Sequence, residues 1–495
     1  MQEKRLLAFD FGASSGRAIT GSYDGQHLLL QEIHRFSNDP VTIQGHMYWD
    51  VLRLFYELKR GLSKARRSGQ LASVGLDTWG VDFGLLDGYG QLMANPRHYR
   101  DVRNQGMSQK AFNLMDQEEL YQITGNQVMD INTAFQLLAI SQQQPQLFQN
   151  AKTLLFMPDL LNYFLTGIKQ SEVSIASTSQ LLDAQKRAWS NVVMDKLGLP
   201  RHLFTKLTPS GSVLGPILPG LQHELSLEAV PVTAVCGHDT QDALVSVPAR
   251  EKDFIFISCG TWALFGTELD QPLINQQTAA LNVTNECGYG GKISFLKNII
   301  GLWLIQEARL QWQRDGQLYT YGELEQLAAA AKPFACFINP DDPIFVPAGN
   351  MPRRLQEYCA RTGQNVPQTP GEMVRCIDES LALKYRSALE EIQSCTGKIY
   401  PVIYMVGGGT QSHLLCQMTA SACQRPVCAG PVEATVYGNL MVQLLAMGEL
   451  NNIGEARQLV RSLPELQQYE PTDSAAWEEA YARYKKLICT AEPES

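Results

Sequence analysis

One short pattern occurs twice in this 495-residue chain, and no other feature constrains its fold as much. Residues 5–23 read as an apolar strand, a Gly/Ser turn and a second strand: RLLAFD, FGASSG, RAITGSY. Residues 253–267, DFIFISCGTWALFGT, read the same way. Aligned on the turn, Phe9-Asp10-Phe11-Gly12 matches Ile257-Ser258-Cys259-Gly260 at an offset of 248 positions, almost half the length. A repeat at that period predicts two related halves, 1–247 and 248–495. The hinge is placed at 247–253, VPAREKD, where Pro and charges interrupt the apolar pattern. The length itself suits two or three domains.

Strands and helices alternate throughout, which predicts an α/β protein with mixed sheets. After the first two strands, Asp24-Gly25 marks a hairpin turn and QHLLLQEIHRF a third strand. Residues 50–67 have helical spacing, with Leu52, Phe55, Leu58 and Leu62 expected on one face and Asp50 as N-cap. ASVGLDTWGVDFGLLD reads as strand, turn, strand. Helices are expected at 108–122, 133–148 and 157–167, the last with Pro158 near its start and Gly167 at its end. AVPVTAVC, 229–236, is a strand and HDTQDALVSV opens a helix. In the second half 372–395 is a long helix. IYPVIYMVGGGTQSHLLCQM is strand, Gly turn and helix, followed by a strand at PVCAG and a helix after GPVEATVYGN. The terminal AEPES is expected to fray.

Composition excludes several classes. Lys plus Arg total 41 against 50 Asp plus Glu, a net charge of −9, which argues against a sequence-independent nucleic-acid binder. With 44% hydrophobic and 18% charged residues the chain is not of the disordered class. No apolar run approaches the ~18–20 residues that span a bilayer, and the apolar stretch of MQEKRLLAFDFG is too short for a signal peptide, so a cytoplasmic protein without membrane partners is expected. All 11 cysteines lie from Cys236 onward, an odd count with no CxxC, which argues against a disulfide framework or a zinc ribbon. Cys359 and Cys376 could bridge a loop, but free buried thiols are the expectation in a reducing cytosol.

Five constellations carry possible chemistry. In AFDFGASSGR, small residues Gly12, Ala13, Ser14 and Ser15 make a turn that phosphate oxygens can approach, flanked by Asp10 and Arg17; an ordinary hairpin is the plain alternative. Gly12, Ser14 and Gly16 also fit the G-x-S-x-G nucleophile elbow, but a strand rather than a helix is expected to follow, so the hydrolase reading is set aside. Gly288 to Lys292 lacks the spacing of a P-loop. In Cys236-Gly237-His238-Asp239-Thr240, Asp239 is either a helix N-cap partnered with Asp242 or a carboxylate that takes a proton from a sugar hydroxyl; spacing leaves both open. Gly407-Gly408-Gly409 would let a ribose or flat ring lie against backbone, or simply form a tight turn. Asp77, Trp79, Asp82, Arg100, Asp101 and Arg103 are either a sugar-binding set or surface ion pairs around a core Trp.

Taken in order, these pieces resemble the FGGY carbohydrate kinases of the actin-like ATPase superfamily over nearly the whole chain. The family's first phosphate loop, D-x-G-A-S-S-G-R, is intact at Asp10, Gly12, Ala13, Ser14, Ser15, Gly16 and Arg17. D-T-W-G-V-D-F stands at Asp77 to Phe83, YRD at Tyr99 to Asp101 and H-D-T at His238, Asp239 and Thr240. The second phosphate loop, S-x-G-T-W, stands at Ser258, Gly260, Thr261 and Trp262, and the adenosine loop at Gly407 to Gly409. L-K-N-I-x-G-L-W-L-x-Q runs from Leu296 to Gln306. Ser412 and Cys416 depart from the Asn residues such kinases often carry after the triple Gly, which bears on nucleotide contact and preference.

The resemblance implies two actin-like (ribonuclease H-like) ATPase domains, each a mixed β-sheet flanked by helices, with an interdomain cleft. The first would hold the sugar and first phosphate loop, the second the nucleotide and second phosphate loop. It implies Asp239 as general base and Asp10 as holder of Mg²⁺ through water. Ala13, Ser14, Ser15, Gly16, Arg17, Thr261, Gln306 and Gly408 would bind nucleotide; Gly80, His238, Asp239, Thr240 and Asn298 would bind sugar. The D-T-W-G-V-D-F and K-N-I-x-G-L-W strings mark the subgroup acting on L-rhamnulose, with phosphoryl transfer from ATP to the C1 hydroxyl. Another ketose such as L-fuculose or L-xylulose, and a catalytically silent sugar sensor, are the alternatives. Sugar and ATP are the expected partners, without nucleic acid, for a monomer or homodimer.

Overall fold

The computed structural model describes residues 3–490, so the terminal AEPES lies outside the described residues. The chain divides into two compact units. The first takes the chain up to Pro248 together with Glu268–Phe295 and Ala434–Ser462; the second takes Ala249–Thr267, Leu296–Glu433 and the chain from Leu463. The units are therefore not simple sequence halves. The helix Ala434–Ala446 packs on the strand Lys4–Phe11 and on the helix Asp239–Val245, which returns it to the first unit.

The first unit is built on a six-stranded sheet in the order Ser212–Pro216, Pro231–Ala234, Ser73–Thr78, Lys4–Phe11, Ser15–Tyr23, Leu28–Ser37. Lys4–Phe11 pairs antiparallel with Ser15–Tyr23 and parallel with Ser73–Thr78, so the sheet is mixed. The register sets Asp10 opposite Arg17 on one side and Asp77 on the other. The second unit repeats the scheme. Ile255–Cys259 pairs antiparallel with Trp262–Leu269 and parallel with Ile403–Val406, and Val427–Ala429 and Gln467–Tyr469 follow in that sheet. Helices flank each sheet, and the central strands read as continuous apolar runs because both their faces are covered: Leu6 to Phe9 and Ile255 to Ile257 are fully buried.

Several elements differ from the expected ones. The first helix is Val51–Arg66, and Asp50 caps it by accepting from the Arg53 amide. Its buried face, however, is Val51, Leu54, Leu58 and Leu62, while Leu52 is 64% exposed. The observed set keeps the i, i+3, i+7, i+11 spacing, one stripe of a 3.6-residue helix, and Leu52 lies off it. The stretch 108–122 splits into Met107–Phe112 and Gln117–Thr124, because Asp116 caps the second helix at the Glu119 amide. The stretch 133–148 splits at Pro145, where the second helix begins. Met157–Thr166 has Pro158 in its first turn and Gly167 in the left-handed conformation at its end, as expected.

Candidate active site

In the first unit Asp10 lies in the buried strand Lys4–Phe11, is 5% exposed, and forms an ion pair with Arg17 across the hairpin. The Gly12 amide donates to Ser15 O at 2.9 Å and closes the turn. Asn38 grips it from outside: its amide donates to Ser14 O at 3.1 Å and its Nδ2 to Gly12 O at 2.9 Å. Asn38 has no signal in the motif, being 26 residues from Gly12. Ser14 is exposed on the turn, flanked by half-buried Ala13 and Ser15. The element that follows is the strand Ser15–Tyr23, so the strand–turn–helix context of a nucleophile elbow is absent here.

The strand Pro231–Ala234 delivers the chain to the helix Asp239–Val245. The N-cap is His238, without a side-chain cap, and Asp242 turns back to accept from the Cys236 amide at 3.1 Å. The capping reading of Asp239 and Asp242 is thereby corrected. Asp239 is 29% exposed at its side chain, and its Oδ1 accepts from the Thr240 amide at 2.6 Å and the Thr240 hydroxyl at 3.3 Å. His238 stands between two acids, with Nε2 3.6 Å from Asp239 Oδ1 and Nδ1 3.2 Å from Glu286 Oε2. A Cβ on Gly80 would lie 3.4 Å from His238 Nε2, so Gly80, His238, Asp239 and Thr240 form one group. Glu286, supported by Gln241 at 3.1 Å, was not legible as a member. Glu172 is a further hidden support: its Oε2 accepts from the amides of Gly237 and Ser174, both at 2.9 Å, and fixes the turn before His238.

Electrostatics tie these groups together. Burial pushes Asp239 up to about 6, with His238 opposing and the Asp10 charge adding to the rise. Asp77 and Asp242 are raised well above the ordinary carboxylate range, first by burial. The charges of Asp10, Asp242 and Asp239 add to the rise at Asp77, and those of Glu172 and Asp10 to that at Asp242. Asp77 Oδ1 and Asp242 Oδ2 are buried without a hydrogen-bond partner. Mutual repulsion among these acids and two unsatisfied buried oxygens would be eased by a hard divalent cation nearby, which takes oxygen ligands.

Asp82 and Asp101 depart from the surface-ion-pair alternative. Asp82 is fully buried and accepts from Trp49 Nε1 at 2.6 Å, Trp79 Nε1 at 3.0 Å, Gln136 Nε2 at 2.9 Å and the Tyr99 amide at 3.2 Å. Asp101, 1% exposed, accepts from the amides of Met47 and Arg103, and buried Arg103 donates to Gln136. Asp82, Asp101 and Arg103 are therefore not surface ion pairs but a buried polar frame, as satisfied acceptors in low dielectric must be.

In the second unit the turn Gly260–Thr261 sits between its two strands, with the Gly260 amide donating to Trp262 O at 2.9 Å, the counterpart of the Gly12 turn. Thr261 Oγ1 donates to Gln306 Oε1 at 3.2 Å, joining two residues expected at the nucleotide. Asn298 lies half-buried on the strand Ile293–Ile300, whose end abuts this turn, for a Cβ on Gly301 would stand 2.9 Å from Gly260 O. At the triple glycine the three positions differ. Gly407 has φ +88°, which an L side chain rarely adopts, and Gly409 lies against Cys259, where a Cβ would meet Sγ at 2.2 Å. Gly408 is exposed with open space beside it, the face a ligand could approach. Ser412 caps the next helix by accepting from the Leu415 amide, and Cys416 is buried against Met405.

The comparisons with known proteins agree along the chain. Residues 5–246 match the N-terminal domain model of the FGGY family of carbohydrate kinases and residues 255–447 the C-terminal one. A curated rhamnulokinase of Bacteroides thetaiotaomicron is 41% identical over 488 residues, covering 98% of this chain and 100% of the relative. One of Halalkalibacterium halodurans is 38% identical over 468 residues, covering 94% and 99%. Among solved structures, a ligand-bound xylulose kinase from Lactobacillus acidophilus shares the fold at a TM-score of 0.81 with 16% identity, covering 98% of each chain. A Plasmodium falciparum glycerol kinase with ADP does so at 0.79 with 14% identity, covering 99% of each. Among the described residues no helix is long and apolar enough to cross a membrane. Two matched domain models and near-full-length relatives lead to one conclusion: the chain belongs to the FGGY family of carbohydrate kinases.

Proposed function

We propose that the protein transfers the γ-phosphoryl group of ATP to the C1 hydroxyl of L-rhamnulose in the cytoplasm, giving L-rhamnulose 1-phosphate and ADP. The observation that carries the choice of sugar is the near-full-length likeness to curated rhamnulokinases. Asp239 is assigned as the general base. A carboxylate shifted up to about 6 is still ionised at neutral pH and is more basic than an ordinary aspartate, which suits it to take the proton of the attacking hydroxyl. Thr240 holds its Oδ1, and His238, fixed by Glu286, places a polar edge beside it. With Gly80, these residues are assigned to the sugar.

Ala13, Ser14, Ser15, Gly16 and Arg17 of the first unit are assigned to nucleotide phosphates. In the second unit Thr261, Gln306 and Gly408 are assigned to the nucleotide and Asn298 to the sugar. Asp10 is assigned to Mg²⁺ through water, and the unsatisfied oxygens of Asp77 and Asp242 support a cation among these acids. Bound there, Mg²⁺ would neutralise phosphate charge during transfer.

Coupled ADP release over L-rhamnulose, L-fuculose and L-xylulose tests the assignment. The highest kcat/KM is expected with L-rhamnulose. A higher value with another ketose would move the substrate, and sugar and ATP binding without ADP release would make the protein a sensor.

A further inference from the structure

The strand Ile293–Ile300 and the helix Trp303–Arg314 meet at Gly301, directly against the second phosphate loop. Three successive amides of that junction donate to the loop's carbonyls: Gly301 to Thr261 O at 3.2 Å, Leu302 to Gly260 O at 3.0 Å and Trp303 to Thr261 O at 3.2 Å. The fit leaves no slack, for a Cβ on Gly301 would stand 2.8 Å from the Ala263 amide nitrogen and 2.9 Å from Gly260 O, both backbone atoms. One turn into the helix, Gln306 accepts from the Thr261 hydroxyl. Wherever the junction sits, Thr261 therefore sits with it.

The junction is held in turn by residues 339–345, none of which has a role above. Asp341 Oδ1 accepts from the Ile300 amide at 2.9 Å, and Phe345 O accepts from Trp303 Nε1 at 3.0 Å, so the brace grips both sides of Gly301. The second oxygen of Asp341 lies 2.9 Å from Lys384 Nζ on the helix Pro370–Thr396. The Lys384 side chain is 14% exposed. Burial works against its charge, but Asp341 and Glu391 outweigh burial and hold the ammonium above its ordinary range. The Asp341 backbone is tied as well: its amide donates to Asn339 Oδ1 at 3.2 Å, and the Asn339 amide to the Tyr358 hydroxyl at 3.1 Å. One carboxylate thus joins two elements. Its bond to Ile300 sets where the strand ends, and its bond to Lys384 sets where the carboxylate stands; a bond to an ionised acceptor is roughly twice as strong as a neutral one.

We propose, resting on the assignment of Thr261 and Gln306 to the nucleotide, that Asp341 is a positioning residue for phosphoryl transfer: by fixing the Ile300 amide it sets the height of the Gly301 junction and with it Thr261 and Gln306. Lys384 keeps the carboxylate in register. Phosphoryl transfer depends almost entirely on positioning and charge neutralisation. A misplacement of about 1 Å, even from a change far from the chemistry, costs about 10²-fold in rate.

The test compares two double variants of the full chain, Asp341→Asn with Lys384→Met and Asp341→Ala with Lys384→Met. Both lack the ion pair, so neither leaves an unpaired charge behind. Only the first keeps an oxygen for the Ile300 amide. Steady-state kinetics against ATP and against sugar are measured with ADP binding by calorimetry and with thermal melting. The Asn variant should keep kcat/KM for ATP within about twofold of the wild type, while in the Ala variant it should fall at least about tenfold, and by more than kcat/KM for the sugar. Equal kcat/KM for ATP in the two double variants, or an Ala variant that loses ATP and sugar turnover equally, would overturn the proposal. If the Ala variant does not fold, Asp341→Glu decides in its place. It keeps charge and acceptor but is one methylene longer, so it should push the junction away and lower kcat/KM for ATP; an unchanged value would overturn the proposal. Wild-type protein that binds no ADP would overturn the nucleotide assignment itself, and the role of Asp341 with it.

Discussion

Asn439 Nδ2 donates to Asp77 Oδ2 at 2.6 Å, across 362 positions of sequence. Asn439 Oδ1 accepts from Gln443 Nε2 at 2.7 Å, and that same amide donates to Leu7 O at 3.1 Å. A late helix thereby holds the charge state of an early strand: the Asn439 hydrogen bond is what opposes the rise of the buried Asp77 carboxyl. Asn439→Ala should raise Asp77 further and leave its second oxygen without a donor. The expected result is a loss of about 1–3 kcal/mol of stability, the cost of an orphaned buried polar group, and a higher Mg²⁺ requirement for turnover. A Mg²⁺ titration of activity unchanged from the wild type would separate Asp77 from the cation.

Gly438 lies on the same helix, and a Cβ there would stand 1.7 Å from Asp242 O. Within a helix, Gly→Ala ordinarily stabilises by roughly 0.5–1 kcal/mol. Here the clash is with backbone and cannot be relieved by a rotamer, so overpacking at about 1–3 kcal/mol should win. Gly438→Ala should lower the denaturant midpoint, and kcat should fall too, because the displaced helix carries Asp239. A more stable Gly438→Ala would mean that the two helices part freely.

Asp239→Asn should keep the fold and ATP binding while kcat falls by about 10²–10⁴, the scale of losing a general base. In the unsubstituted protein kcat/KM should rise with pH through about 6 and then level, since the base works only when ionised. The same shift carries a stability consequence of fixed sign. A carboxyl whose folded value is raised contributes stability at low pH that is lost as pH rises through about 6. Near-normal turnover in Asp239→Asn would remove Asp239 from the chemistry.

Much of this site is readable in sequence because its loops are local. Asp10 to Arg17 and Ser258 to Trp262 are each a strand end and the turn that follows, and His238 to Thr240 is a helix start, so their local structure is written in adjacent residues. What was not readable lies at long range. Asn38 on the Gly12 turn, Glu286 on His238 and Glu172 on Gly237 are recruited by sheet register and helix packing. The status of Asp82 was hidden for the same reason: a carboxylate among aromatics reads as a sugar ligand until Trp49 and Gln136 arrive to fill it. Leu52 was misplaced because its neighbours Val51 and Leu54 offer a second apolar stripe, and only the sheet beneath selects between them. The absence of any CxxC hid the meeting of Cys336, Cys359 and Cys376, which come from three separate elements.

Asp378, on the helix Pro370–Thr396, is 2% exposed, and its Oδ1 has no hydrogen-bond partner. Burial, with the charges of Glu325 and Glu379 adding to it, pushes its carboxyl up to about 8. An unfolded aspartate titrates near about 3.9, so between that value and about 8 the folded state binds the extra proton and stability declines as pH rises. Asp378→Asn places a neutral side chain of the same shape where the folded protein keeps a neutral acid. The variant should melt close to the wild type near pH 4 and above it at pH 8, where the wild type must carry a buried charge or hold its proton at a cost. Melting curves that fall in parallel across this range would show that Asp378 is ionised in the folded state.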